Sequence, residues 1–334
     1  MRCVHCFAKH LVSRPQNESG ELNAERILAL LSEAATLGCL KLTLSGGDPL
    51  MRKDFAEIYA GARRLGMVVT VFTNATLVTQ AHVDLFREYP PKMVEVSLYG
   101  ATRDTYERVT RVPGSYDKAL RGIDLLLGQG VAVGLKTMIL TENAGEIPAI
   151  GSFASDLGLR FRLDPVVTPG LDGDCSLLSH RVEPDLAARL QLSRDGDIER
   201  LKKQHERFEA RRGKRPPDPA GVDVRCGAGV SVFHLDPGGW MRPCIMIRGI
   251  AHNAADQGFA DAWRRTTRAI DATVTGRLSP CAGCEDLFLC GFCPGLFDLE
   301  GSYPTGGSEY VCRLGRSRRA MLEATEEVKD DRGK

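Results

Sequence analysis

Long apolar runs are missing from this sequence. No segment approaches the roughly 20 apolar residues that a membrane-spanning helix needs, so no membrane partner is expected. The first ten residues, Met1 to His10, hold no apolar core of the kind that marks a secretory signal, and the expected compartment is the cytoplasm. An excess of one charge is missing too: 44 basic residues stand against 43 acidic ones. So even a balance removes the electrostatic case for nucleic acid as a partner. No internal repeat is visible. Cysteine, by contrast, is abundant, with 11 residues. An odd count without a secretory signal argues against a disulfide framework and for reduced thiols that bind metal.

The 334 residues suffice for one large domain and a small one. From Leu22 to about Asp164, helix-period and strand-like segments alternate. Asn23 is placed to cap a helix with Ile27, Leu28, Leu31, Ala34 and Ala35 at helical spacing, stopped by Gly38. Strands are expected at 40–45 and from Met67, Met93, Val131 and Leu159, with helices between them, one at 116–127. Strands separated by crossover helices make parallel βα units. Five of them fit a partial or complete β/α barrel, or a doubly wound sheet. After Val167 the pattern breaks. One charged helix is expected over 184–212, then a linker at Pro216-Pro217-Asp218-Pro219. Beyond it the chain is rich in glycine and cysteine, and bound metal is expected to supply much of its stability. The boundaries read as 1–167, 168–219, 220–322 and a tail over 323–334.

Two regions carry chemistry. Near the start, Cys3-Val4-His5-Cys6 places two thiols in a loop. Alone, such a pair fits zinc, redox exchange or chance. Downstream, a strand runs into Ser45-Gly46-Gly47-Asp48-Pro49. Active sites of β/α barrels form at the C-terminal strand ends, glycines let a ligand approach the backbone, and Asp48 has the charge to meet an ammonium group. The second region is more specific. Cys226 is followed by twelve residues, Gly239, four more and Cys244; then come Cys281-x-x-Cys284, five residues, Cys290-x-x-Cys293 and Cys312. Zinc and iron–sulfur sites both use such thiolates, and spacing alone leaves both open.

The N-terminal features together resemble the radical SAM superfamily, over nearly the whole barrel. In that family three cysteines, spaced C-x-x-x-C-x-x-C, hold a four-iron cluster, and S-adenosylmethionine completes the fourth iron. Cys3 and Cys6 match the second and third of these cysteines. The first would lie four positions before Cys3, and the strand that precedes it in the family is likewise not in this sequence. The fold implied is α/β, a partial (β/α)6 TIM-type barrel without its first strand, followed by a small cysteine-rich α+β auxiliary-cluster domain. With two of three ligands, this polypeptide is expected to hold the SAM cluster poorly. His5 matches the position that packs against adenine. Gly46, Gly47, Asp48 and Pro49 match the segment that receives the methionine ammonium. Asn74 and Ser97 match polar strand-end residues near SAM, and Lys136 is a candidate for its carboxylate or ribose.

The C-terminal pattern resembles the SPASM extension of radical SAM enzymes, departing from it in having two residues, not three, between Cys290 and Cys293. By that resemblance Cys281, Cys284, Cys290 and Cys312 hold an outer auxiliary [4Fe-4S] cluster, and Cys226, Cys244 and Cys293 an inner one. The inner cluster is left with an open iron or an oxygen ligand such as Asp223. The activity implied is reductive cleavage of S-adenosyl-L-methionine to a 5′-deoxyadenosyl radical, which takes a hydrogen from a ribosomally made peptide to give a crosslink, thioether or dehydrogenated residue. Flavodoxin or ferredoxin is the implied reductant. A small-molecule or cofactor-precursor enzyme, a noncatalytic iron–sulfur protein and a zinc-binding structural protein are the alternatives.

The remaining candidates read as structural. Cys39 precedes an apolar strand and is expected in the core; Cys175 sits in a loop, unligated. His10, His82, His180, His205, His234 and His252 share no ligand spacing. Trp240 and Tyr99 are expected to pack, and the run 207–215 to form a solvated helix end.

Overall fold

The computed structural model describes residues 1–9, 20–212, 226–274, 281, 284–301 and 306–332. His10, the Pro216–Pro219 linker and Asp223 lie outside them. Five strands form the main sheet: β1 Lys41–Leu44, β2 Val68–Thr73, β3 Met93–Ser97, β4 Val133–Met138 and β5 Arg160–Asp164. Each pairs in parallel with its chain neighbour, in the order β1-β2-β3-β4-β5. A doubly wound sheet reverses its order at a switch point. This one never reverses, so crossovers of one hand put the helices on a single face, as in a β/α barrel. At the β1 edge of the sheet, Lys41 and Thr43 are exposed.

Helix α1 Ala24–Thr36 precedes β1, and between the strands lie α2 Phe55–Arg64, α3 Gln80–Glu88, α4 Arg103–Thr110, α5 Ser115–Leu127 and α6 Ile147–Asp156. Asn23 caps α1, accepting from the Arg26 N–H at 2.9 Å, and Gly38 follows its end at φ +90°. Val69, Val71, Val94, Val96 and Leu135 of the strands pack with Leu30, Tyr59, Phe86, Ile123 and Leu126 of the helices in one buried core. Each such side chain contributes roughly 1.5–3 kcal/mol. Period-two alternation leaves the other face of the sheet to different residues. Phe72, Glu95, Lys136 and Arg162 share it: Phe72 is in register with Glu95, and Lys136 with Arg162.

The segment expected as one charged helix is two, α7 Pro184–Gln191 and α8 Asp197–Arg212. Gly196 breaks it at φ +76°. The turn is held by Arg194, which lies over the Phe161 ring at 5.2 Å and pairs with Asp197 at 3.1 Å.

The cysteine-rich region opens with a small antiparallel sheet, β6 His234–Leu235, β7 Trp240–Arg242 and β8 His252–Asn253. Its tight turn explains the glycine of the sequence pattern. Asp236 Oδ1 accepts from the N–H groups of Gly238 and Trp240 at 3.0 and 2.9 Å. Gly239 sits at φ +84°, and a Cβ there would meet the Ala255 Cβ at 2.8 Å. Trp240 does not pack as expected: it is 44% exposed, while the next residue, Met241, is fully buried. Five helices follow among the described residues: α9 Ala254–Gln257, α10 Phe259–Val274, α11 Leu287–Cys290, α12 Pro294–Leu299 and α13 Glu309–Arg332.

This region is tied to the barrel. The Leu22 N–H donates to the Pro237 carbonyl at 2.8 Å, and the Phe259 N–H to Glu33 Oε2 at 2.7 Å. Arg181 pairs with Glu300 at 2.5 Å, and the Tyr310 hydroxyl donates to the Pro165 carbonyl at 3.1 Å. No helix among the described residues is long and apolar enough to cross a membrane.

Candidate active site and cysteine sets

The loop of Cys3 and Cys6 is strapped to the end of α4. The N–H groups of Arg2 and Val4 donate to the Thr110 and Val109 carbonyls at 3.0 and 2.9 Å, and the Cys6 N–H closes a turn on the Cys3 carbonyl at 3.2 Å. Both thiols are half-buried. Burial, and then the neighbouring Cys6, push the Cys3 thiol up to about 11, so a thiolate there needs a compensating cation. Between them His5 is buried, and its Nδ1 has no hydrogen-bond partner among the described residues. Burial, then the nearby His180, lower its pKa to about 4, so the ring is neutral at physiological pH. Its edge meets the Tyr99 ring at 4.6 Å.

Past β1, Ser45, Gly46 and Gly47 are exposed, while Asp48 and Pro49 are buried. Gly46 adopts φ +137°, and a Cβ on it would meet nothing within 4 Å. The backbone is therefore open to a ligand at the glycines. The Asp48 carboxylate, in contrast, is already engaged. It accepts from the Leu50 N–H at 3.0 Å, the Thr73 hydroxyl at 2.8 Å and the Asn74 N–H at 2.9 Å. Thr73 in turn accepts from the Ala75 N–H at 3.1 Å. These bonds bind the loops after β1 and β2 to one another. Burial raises the Asp48 pKa, and these hydrogen bonds oppose the rise. The Asn74 side chain turns back on its own loop, its Oδ1 accepting from the Thr76 N–H at 3.0 Å. Ser97, at the end of β3, is hydrogen-bonded to the buried Tyr99 hydroxyl. Lys136 lies on the inner face, its Nζ 3.4 Å from the centre of the Phe72 ring. Burial, then Arg162, depress its pKa to about 8.

Several groups here had no signature in the sequence. Glu95 faces Arg162 at 3.4 Å, and Arg162 reaches Asp164 at 3.3 Å. His180 Nδ1 contacts Glu142 Oε1, close enough to His5 to act on it. Asn143 is buried and joins strand ends: its Nδ2 donates to the Tyr99 and Met138 carbonyls at 3.0 Å each, and its Oδ1 accepts from the Leu140 N–H at 2.8 Å. A lone His or Asn carries no spacing, so only its tertiary partners reveal it.

The seven C-terminal cysteines fall into two neighbourhoods. Burial pushes the Cys290 thiol up to about 12, and Cys312, Cys281 and Cys284 add to the effect. A Cβ on Gly307 would lie 3.6 Å from the Sγ atoms of both Cys281 and Cys312. The Cys293 thiol is also raised by burial, and its thiol neighbour is Cys226. Cys244, raised by burial, has Cys293 and Cys226 beside it. The pair Cys290 and Cys293 is thus divided between the two. Gly291, in the left-handed region at φ +69°, turns the chain there. Among the described residues no three His, Cys, Asp or Glu side chains converge on one ion, and all seven donors in these two neighbourhoods are thiols. Cys39 is half-buried at the sheet edge, donating to the Lys41 carbonyl at 3.6 Å, and Cys175 is exposed.

Residues 1–154 match the family model of the radical SAM superfamily. The chain is 36% identical to Fe-coproporphyrin III synthase of Methanosarcina barkeri over 45% of its own length, and spans 37% of that protein. It is 24% identical to AdoMet-dependent heme synthase of Oleidesulfovibrio alaskensis, covering 91% of this chain and 82% of the relative. It is 26% identical to mycofactocin maturase MftC of Mycobacterium tuberculosis, covering 96% and 82%. Among solved structures, Streptococcus suis SuiB bound to precursor peptide SuiA superposes with TM-score 0.73 at 17% identity, covering 93% of this chain and 73% of SuiB. Native anSMEcpe with bound AdoMet and Cp18Cys peptide gives 0.69 at 14% identity, covering 100% and 96%. At these identities the structural likeness is one of fold.

Proposed function

We propose that this chain is a radical SAM oxidoreductase that modifies a ribosomally made peptide and carries iron–sulfur clusters on its C-terminal cysteines. Two observations carry the reading: buried His5, between Cys3 and Cys6, lies against Tyr99 just past the end of β3, and the backbone just past the end of β1 is open at Gly46. When bound, S-adenosylmethionine and a reduced four-iron cluster supply a 5′-deoxyadenosyl radical that removes hydrogen from an unactivated carbon.

This chain's own residues position and protect. Cys3 and Cys6 contribute two thiolate ligands. The carbonyls near Gly46 and Gly47 receive the methionine ammonium, and Asp48 holds that loop in place from below. Lys136 is the cation on the inner face with which a carboxylate or ribose would pair. His5 and Tyr99 close the space beside the cysteines against water, which would quench a radical. The all-thiol sets Cys281, Cys284, Cys290, Cys312 and Cys226, Cys244, Cys293 fit iron–sulfur ligation and would supply one-electron capacity. Flavodoxin or ferredoxin is the proposed reductant.

Similarity to MftC over nearly the whole chain and the shared fold of SuiB with its precursor peptide support the peptide substrate. A cofactor precursor is the second reading, favoured by the similarity to Fe-coproporphyrin III synthase and AdoMet-dependent heme synthase. The test is anaerobic reconstitution with iron and sulfide, metal analysis, and incubation with S-adenosylmethionine and a reductant. Substrate-dependent 5′-deoxyadenosine with a precursor peptide supports the first reading; with iron-coproporphyrin, the second. Zinc without iron on the C-terminal cysteines overturns both.

A further inference from the structure

We infer that Arg318 sets the redox potential of the iron–sulfur group on Cys281, Cys284, Cys290 and Cys312, raising it above that of the group on Cys226, Cys244 and Cys293. The inference rests on the reading of those cysteines as cluster ligands.

Arg318 projects from α13, the helix that also carries Cys312. It is only 8% exposed. Its Nη1 donates to the carbonyl of Leu289, the residue before Cys290, and its Nε donates to Gln191 Oε1 at 3.0 Å. Both acceptors are neutral oxygens. No carboxylate pairs with this guanidinium among the described residues. Helix α13 approaches this closely because Gly315 lacks a side chain: a Cβ there would come within 2.8 Å of the Cys290 Cβ.

A buried charge without a counter-ion is costly and rarely kept. Burial lowers the Arg318 pKa to about 10, and Cys290 is the first group opposing that fall. The guanidinium therefore remains a cation at neutral pH, and a thiolate-bound cluster beside Cys290 is the anion it lacks. Reduction adds one negative charge to such a cluster. A fixed buried cation stabilises the reduced form more than the oxidised form, so the potential rises.

The other charges nearby do not do this. Arg319 is neutralised by Asp286 at 2.6 Å; Arg316 acts on Cys312 but is exposed, where solvent weakens its field. Beside Cys244 and Cys293 the groups that act on the thiols are other thiols and backbone N–H groups.

The experiment is an EPR-monitored redox titration of the reconstituted full chain and three variants. Arg318→Met removes the charge. Gln191→Glu keeps the hydrogen bonds and neutralises the charge in place. Arg318→Lys keeps the charge. In the first two, the reduced-to-oxidised ratio of the outer signal at fixed potential should fall roughly tenfold, about 59 mV for one electron, with the inner signal unmoved. Arg318→Lys should stay near wild type. If Arg318→Met fails to assemble, Gln191→Glu decides alone. Iron on both sets with an unmoved outer potential in Gln191→Glu overturns the inference and leaves the cluster reading intact. A wild-type chain that loads no iron on these cysteines overturns both.

Discussion

Asp48 has the charge to meet the methionine ammonium, yet the fold uses it as a structural knot. The substitution Asp48→Asn tests which role dominates. The carboxylate accepts from Leu50, Thr73 and Asn74 with its two oxygens, at a residue only 7% exposed. An asparagine keeps one acceptor oxygen and turns an NH2 toward a backbone N–H. One charge-assisted hydrogen bond is lost, and a buried donor is left facing a donor. Together these cost about 2–4 kcal/mol, a Tm fall of roughly 3–6 °C in a chain of this size. Thermal denaturation of the metal-free protein by circular dichroism reads this directly. Thr73→Val should cost less, and the double variant should be less than additive because both changes break one network. If Asp48→Asn melts within a degree of wild type but loses S-adenosylmethionine affinity in the reconstituted protein, the structural assignment is wrong and the carboxylate is a ligand.

Gly122→Ala should destabilise by about 1–3 kcal/mol, despite a helix-propensity gain of about 1 kcal/mol, because a Cβ there would meet the Ala75 carbonyl oxygen at 2.1 Å; chemical denaturation measures it. Arg181→Ala breaks a nearly buried pair with Glu300 and the bond from its Nε to the Val167 carbonyl at 2.8 Å. A loss of about 3–5 kcal/mol follows, and limited proteolysis should release the cysteine-rich region first; unchanged cleavage rates would count against its docking role. Lys136→Met should do the opposite and stabilise the protein at pH 7. Folding lowers the lysine pKa from 10.5 to about 8, so wild-type stability rises as pH climbs from 8 toward 10.5 and is lost as pH falls back. Removing the lysine should flatten that limb and recover on the order of 3 kcal/mol near neutrality, at the expense of cofactor affinity. A variant less stable than wild type at pH 7 refutes the argument.

The fold was legible because each signal was local and repeated. Five strands appeared within one or two residues of their expected starts, and Asn23 and Gly38 bounded the first helix by side-chain and backbone chemistry alone. The division between barrel and doubly wound sheet was not local. It depends on which strands pair, and the unbroken order of pairing decided it. The single helix expected over 184–212 failed for a similar reason. Its charged composition hid a turn that Gly196 permits but that only Arg194, lying across Phe161, holds in place. Trp240 was misjudged because strand alternation puts Met241 inward and leaves the tryptophan at the surface.

The site divides along the same line. Cysteines advertise themselves by spacing, because ligands to one metal group must lie close in space and short loops keep them close in sequence. The residues that tune such a group need no spacing at all. Arg318 is followed by another arginine on a charged helix, and the sequence gives no reason to prefer one over the other. Burial and partners separate them: Arg319 has its own carboxylate in Asp286, while Arg318 donates to two neutral oxygens, one of them the Leu289 carbonyl next to Cys290. The same holds for the inner face of the barrel. Glu95, Lys136 and Arg162 sit on three successive strands, each reading as an isolated charge in an apolar run. Only the parallel register makes them neighbours. Glu95 meets Arg162 in an ion pair, whereas Lys136 rests on Phe72 and feels Glu95 and Asp164 only from further away. The proposed pairing of a bound carboxylate with Lys136 rests on this placement, because Arg162 already has Glu95 and Asp164 as partners.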